Sequence, residues 1–232
     1  MTDWYKIKRI LIWQGWVEKQ IYPAGWNPWP NTLLYLPLNW DVKDPYNNVT
    51  YSWWAWSASY ATWSWSTLAA NFTGSNAISI WTSLDYTWWT WWYTVCFWFT
   101  TTSPSTEQRC SSNVPSKYFH ICKITSSKAN ISCKHSNWES SLSWTTTLTA
   151  NTKYLFTATL KSGSEMKLYL NWRLENSVSI WTFASLSSQF WQWIGAWRLG
   201  NSEFWRWMIR EFIVESKIWS ASDVLDYYNQ TK

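Results

Sequence analysis

The stretch from Lys153 to Ile180, KYLFTATLKSGSEMKLYLNWRLENSVSI, leaves little freedom in what it can become. Tyr154, Phe156, Ala158 and Leu160 alternate with their neighbours, and Met166, Leu168 and Leu170 do the same beyond the turn-forming Ser162-Gly163-Ser164. A period of two places one face of each strand in a core, so the stretch reads as two half-buried strands joined by a turn. A third strand follows Asn171-Trp172. That second turn carries a misfit. A two-residue hairpin loop favours Asn-Gly because both central residues adopt positive φ, and a residue with a Cβ is about 1–2 kcal/mol worse off there. Trp172 stands where glycine is wanted.

The misfit recurs. The chain has 27 Trp and only 6 Gly in 232 residues, whereas glycine ordinarily makes up about 7% of a protein. Trp53-Trp54, Trp88-Trp89 and Trp91-Trp92 are doublets. Trp63/Trp65, Trp191/Trp193 and Trp205/Trp207 are one residue apart, mostly among Ser, Thr, Ala and Asn, which are loop neighbours. Each buried Trp removes about 150–250 Å² from water, more in total than a domain this size encloses. Left outside, so many indoles would merge into apolar patches larger than soluble monomers carry. The expectation is that most of them occupy glycine positions, as when a gene whose own code reads UGA as glycine is translated with tryptophan. Trp172, Trp207 and the doublets are then expected in turns, bulges or loops, exposed and often at positive φ. A truly aromatic binding surface is the competing reading.

The length suits one all-β domain with a short extension. A formal charge of +5 comes from scattered Lys and Arg with no basic run, which gives nucleic-acid binding no support. No window approaches 18 apolar residues, so no transmembrane segment is expected. The N-terminus MTDWYKIKRILIW is too polar for a secretory signal. An extracellular, cell-surface or virion location would therefore be reached by another route.

Residues 1–32 read as a β prelude, with a hairpin around Gln14-Gly15-Trp16, and a Pro-containing linker, PAGWNPWP. The body spans 33–232. It offers strands at 33–38, 68–72, 77–80 and 209–214, and Tyr93–Phe99, which is apolar on both faces and hence central. Ser220-Ala221-Ser222-Asp223 predicts a capping box, with Trp219 and Val224 as a hydrophobic staple, ahead of a short C-terminal helix. Trp98 in mid-strand and Trp219 before the cap read as genuine core residues.

In this order LLYLPLNWD, LAANFTGSNAISI, YTVCFWF, KLYLNWR, FWRWMIREFIVE and IWSASDVLDYY resemble the laminin-G-like jelly roll of the concanavalin A-like lectin and glucanase superfamily, over roughly Leu33 to Tyr228. The resemblance implies an all-β antiparallel β-sandwich, with Tyr169 of the Y-x-N-G turn motif in its structural core. It leaves function open among sugar binders, adhesion modules, spacers and enzymes.

No catalytic residues are expected. Retaining glucan hydrolysis needs two carboxylates about 5–5.5 Å apart, and the superfamily's E-x-D-x-x-E string is missing. Glu211 and Glu215, four apart on a strand, read as solvent-facing surface carboxylates. Asp41, Asp44 and Asn47 share one polar loop and are weak candidates for sugar or calcium oxygen ligands, a solvated turn being the commoner outcome. No cofactor is expected. If Ile124 faces Ile131 in the hairpin YFHICKITSSKANISCKHS, then Cys122 faces Cys133 and His120 faces His135. Ordinary thiols rank first there, a Cys122–Cys133 disulfide second and zinc a distant third. The sequence does not settle the redox state of Cys96 and Cys110. The function expected is a non-catalytic, lectin-like binding or adhesion module on a cell surface or phage structure, with a glycan or surface protein as partner. A purely structural virion or appendage protein is the alternative, and a glycoside hydrolase the less favoured one.

Overall fold

The computed structural model describes residues 11–14, 17–20, 32–36, 51–52, 59–64, 67–73, 78–82, 92–114, 120–134, 139–182, 190–195 and 205–232. The chain divides into two compact units, Met1–Pro30 and Asn31–Lys232. In the first, β1 (Leu11–Gln14) pairs antiparallel with β2 (Val17–Gln20), Leu11 opposite Gln20 and Gln14 opposite Val17.

The second unit is an all-β sandwich of two antiparallel sheets with one C-terminal helix. The larger sheet runs β15 (Arg173–Ser179), β14 (Glu165–Leu170), β13 (Tyr154–Lys161), β8 (Trp92–Phe99), β17 (Arg206–Glu215), β6 (Thr67–Thr73) and β5 (Ser59–Ser64), and β3 (Thr32–Leu36) also pairs with β17. The other runs β12 (Glu139–Ser143), β11 (Lys128–Lys134), β10 (His120–Thr125), β9 (Gln108–Val114), β16 (Phe190–Ile194), β7 (Ile78–Thr82) and β4 (Tyr51–Ser52). Alternation places Tyr93, Val95, Phe97 and Phe99 of β8 in the core with Phe156, Ala158, Leu160, Met166 and Leu168. Cys110, Cys122, Ile124, Ile131, Cys133 and Leu142 of the facing sheet complete it. Phe97 stacks on Phe156 at 4.9 Å and on Phe212 at 5.4 Å between ring centroids. Each such side chain contributes about 1.5–3 kcal/mol on burial.

The opposite face of β8 is buried as well, which explains its continuous apolar run. Helix α1 (Ala221–Thr231) meets it. Trp98 stacks on Tyr228 at 5.6 Å and its Nε1 donates to Thr231 Oγ1 at 2.8 Å. Trp98, Tyr169 and Trp219 are 4%, 3% and 3% exposed. The helix starts as its sequence dictates: the Asp223 N–H donates to Ser220 Oγ at 3.2 Å and the Ser220 N–H donates to Asp223 Oδ2 at 2.7 Å.

Turn geometry departs from expectation twice. Between β10 and β11, Ser126 and Ser127 take φ of 51° and 58° and close a two-residue loop, Thr125 opposite Lys128. The register therefore shifts by two: Cys122 faces Ile131 and Cys133 faces His120, while His135 lies outside the described residues. A shift of two keeps every side chain on its face, so both cysteines stay inward. At Asn171-Trp172 only Asn171, at φ 58°, adopts the left-handed conformation. Its N–H donates to the Leu155 carbonyl at 2.8 Å and its Oδ1 accepts from the Leu155 N–H at 2.9 Å. The Trp172 Cβ disfavours positive φ, and its indole is exposed under the Arg173 guanidinium, 4.8 Å from the ring centroid.

The described tryptophans divide by environment. Trp92, Trp172 and Trp181 are exposed, but Trp92 sits in a strand, not in the turn, bulge or loop expected of the doublets. Trp207 lies in β17 opposite Phe72, and Trp53, Trp54, Trp88, Trp89 and Trp91 fall outside the described residues. Trp144 and Trp205 are fully buried between the sheets, packed on Phe99 at 5.9 and 5.5 Å, and their Nε1 atoms have no hydrogen-bond partner among the described residues. The true glycine Gly195 shows what such a position needs. Its φ is 84°, and a Cβ there would lie 2.3 Å from the Phe72 ring.

Candidate ligand-binding cleft

The carboxylates on β17 are not solvent-facing, which corrects the sequence expectation. Glu211 is 7% exposed and Glu215 is fully buried. The ladder between β17 and β8 shifts between Arg210 and Ile213, and Glu211 at φ 53° marks this irregularity. Glu211 accepts from the Tyr227 hydroxyl at 2.7 Å and pairs with Arg210; Glu215 accepts from Trp219 Nε1. These bonds tie α1 and the segment before it to the sheet. Strand periodicity could not reveal them because Trp219 and Tyr227 lie beyond the end of β17, four residues on from Glu215 and sixteen on from Glu211.

An open cleft of about 480 Å³ lies on the same larger sheet, lined by Trp92, Lys161, Glu165, Ser216, Lys217 and Ile218. Its floor follows from strand register. Trp92 is directly opposite Lys161, and Lys161 directly opposite Glu165, so the three form one row across β8, β13 and β14. Directly opposed side chains point to the same face. The wall is the connection from β17 to α1, pinned from beneath. Thr94 Oγ1 donates to the Lys217 carbonyl at 2.6 Å and accepts from the Trp219 N–H at 3.0 Å.

The charges in the cleft are unequally engaged. Glu165 is held by Lys167 at 2.7 Å, and that bond, offset in part by burial, raises the Lys167 pKa. Lys217 reaches Asp223 at 3.0 Å. Lys161 makes no ion pair among the described residues. With the Trp92 indole half exposed, the cleft presents an aromatic face, two ammonium groups, one carboxylate and the Ser216 hydroxyl. Sequence reasoning missed it. Lys161 and Glu165 are legible as the residues flanking the Ser162-Gly163-Ser164 turn, but the segment that walls them in comes fifty residues later.

Asp41, Asp44 and Asn47 lie outside the described residues. Cys96, Cys110, Cys122 and Cys133 are free and buried, so the Cys122–Cys133 bridge is not formed. Burial pushes the Cys122 and Cys133 thiols up to about 12 and raises Cys96 and Cys110 well above the ordinary range. Thiols so buried are poor nucleophiles and ligands. Among the described residues, no group of three or more metal-ligating side chains occurs and no helix is long and apolar enough to cross a membrane.

No protein-family model and no curated protein matches the sequence. Solved structures do match the fold. The receptor binding domain of botulinum neurotoxin mosaic serotype C/D, with tetraethylene glycol bound on its Hcn sub-domain, superposes with a TM-score of 0.69 at 17% identity, over 87% of this chain and 51% of that one. The binding domain of botulinum neurotoxin DC in complex with SialylT gives 0.67 at 13% identity, over 88% and 52%. A botulinum neurotoxin type C structure, described as dependent on two ganglioside molecules for cell entry, gives 0.59 at 12%, over 87% and 51%. The chain thus spans about half the length of these solved chains, and what it shares with them is the fold.

Proposed function

We propose that the chain is a non-catalytic, lectin-like binding or adhesion module of the laminin-G-like type, displayed on a cell surface or phage structure, with the prelude serving attachment. The observation that carries this reading is the cleft. An exposed indole beside ammonium, carboxylate and hydroxyl groups is the combination saccharide sites use, an aromatic face for the ring and a few polar groups for orientation. The matching structures include domains whose descriptions name gangliosides and SialylT. Their being binding domains supports a non-enzymatic role, as does the structural use of Glu211 and Glu215. The test is a glycan array followed by amide NMR titration of the hits. Shifts at Trp92, Lys161 and Lys217 are expected, with no reducing ends released from β-glucans. Turnover of any β-glucan would overturn the reading, and a chain silent on every glycan would leave the purely structural role.

A second reading concerns the residues themselves, and the indole N–H groups of Trp144 and Trp205, without a partner among the described residues, favour it. An interior that evolved around an indole satisfies its donor, as it does at Trp98 and Trp219. Glycine at Trp144, Trp172 and Trp205, written as tryptophan through UGA, accounts for the misfits. The coding DNA and the mass of the natively expressed protein decide it: TGG codons at 144 and 205 end the idea. Trp92, in regular strand, makes no backbone demand for glycine, and its codon decides whether the cleft keeps its aromatic face.

A further inference from the structure

We infer that the cleft takes an acidic saccharide, its carboxylate or sulfate held by Lys161 and Lys217 while a sugar face rests on the Trp92 indole. This deepens the saccharide-binding reading and rests on it.

The argument is one of charge left over. The cleft is lined by two lysines and one glutamate. Glu165 pairs with Lys167 at 2.7 Å, and no ion pair joins it to its direct cross-strand neighbour Lys161 among the described residues. Lys217 has Asp223, but that pair is exposed on both sides, with 46% and 35% of the side-chain surfaces open, so an incoming anion competes with it at little cost. Lys161 is exposed and makes no ion pair among the described residues. It stands directly opposite Trp92, so an anion bound to it lies beside the ring rather than beyond it. Neighbouring strands are about 4.7–4.9 Å apart, which sets the ammonium within reach of a substituent on a sugar stacked over the indole. A neutral sugar would leave Lys161 without a role.

The rigid parts are already in place. Trp92 and Lys161 belong to paired strands, and Thr94 fastens the segment bearing Lys217 through both its donor and its acceptor. An anion therefore meets a preformed arrangement and little ordering cost. Because the site is open, its electrostatic part is screened by salt.

The experiment titrates the intact chain with sialyllactose and with lactose, reading amide shifts at low and at physiological salt. Sialyllactose should shift the residues of the cleft and bind about tenfold more tightly than lactose, the difference shrinking with salt. Lys161→Ala should remove about that tenfold preference, as loss of a charged hydrogen bond does, while Lys161→Arg keeps it. Trp92→Ala should weaken both sugars together, and Trp92→Gly makes the same comparison for the residue that UGA recoding would place there. Both positions are exposed, and retained shift dispersion shows each variant folded. Equal binding of the two sugars at the cleft overturns the acidic-ligand inference and leaves the saccharide reading standing. Shifts confined to other surfaces, or none with either sugar, overturn both.

Discussion

Two regions of this sandwich bury tryptophan, and they do so differently. On the outer face of the larger sheet, the Trp98 indole N–H donates to Thr231 Oγ1 at 2.8 Å and the Trp219 indole N–H donates to Glu215. Between the sheets, Trp144 and Trp205 lie just as deep but leave their N–H groups without a partner among the described residues. Burial alone does not distinguish a residue the fold was built around from one it merely contains. Satisfaction of the polar tip does, because a buried donor without a partner costs about 1–3 kcal/mol.

The largest effect should come from the outer region. Trp98→Ala removes stacking on Tyr228 and the bond that fastens the end of α1, and urea unfolding should show a loss of about 3–5 kcal/mol. A loss below about 1 kcal/mol would mean the helix is not held there.

Trp219→Phe should cost about 1.5–3 kcal/mol, since it withdraws a donor from the buried Glu215 carboxylate. The matched changes in the inner region, Trp144→Phe and Trp205→Phe, should stay within about 1 kcal/mol of the starting chain or gain stability, because each discards an unsatisfied donor. If they cost as much as Trp219→Phe, the inner N–H groups have partners and the contrast between the regions disappears.

A smaller effect is expected from acid. Burial pushes the Asp223 carboxyl up, but hydrogen bonds from the Ser220 N–H, Lys217 and the Ser220 hydroxyl outweigh it and leave its pKa below the ordinary value. Burial and hydrogen bonds compete in the same way at Glu175, where Thr145 and Thr146 donate from both N–H and hydroxyl groups, and the pKa again ends lowered. A depressed carboxyl contributes stability that is complete above its unfolded pKa, about 4, and is lost as pH falls through the folded value. Thermal melts should therefore be flat between neutrality and about pH 5, then fall. The fall should be shallower in Asp223→Asn. An identical acid limb in that variant would remove the cap from the account.

The smallest effect expected is none. The four thiols are buried with raised pKa values, so iodoacetamide should leave the native mass unchanged and add four labels only after unfolding. Native labelling would show that the core opens, and a mass that rises on reduction would restore the Cys122–Cys133 bridge.

Much of this protein is determined by local pattern. The alternation of Tyr154–Leu160 and Met166–Leu170 dictates two strands, because side chains repeat every two residues whatever lies opposite, but the half-buried reading fails for β13, where Leu155, Thr157 and Thr159 on the other face are buried as well. The Ser220–Asp223 capping box closes within one turn, so it too needs nothing from elsewhere. The continuous apolar run of Tyr93–Phe99 implies cover on both faces, yet only the tertiary structure shows that α1 provides it. Register was decided by backbone conformation at single residues: two serines at positive φ moved the Cys122 hairpin by two. Glu211 and Glu215 became buried because of a ladder irregularity and a helix beyond them. The cleft exists because the connection holding Lys217 folds over a row that strand pairing assembles from Trp92, Lys161 and Glu165. Sequence determines what can be read within one strand or one turn. Which distant groups come to share a face is set by pairing across the sheet, where contacts span tens of residues and no local pattern records them.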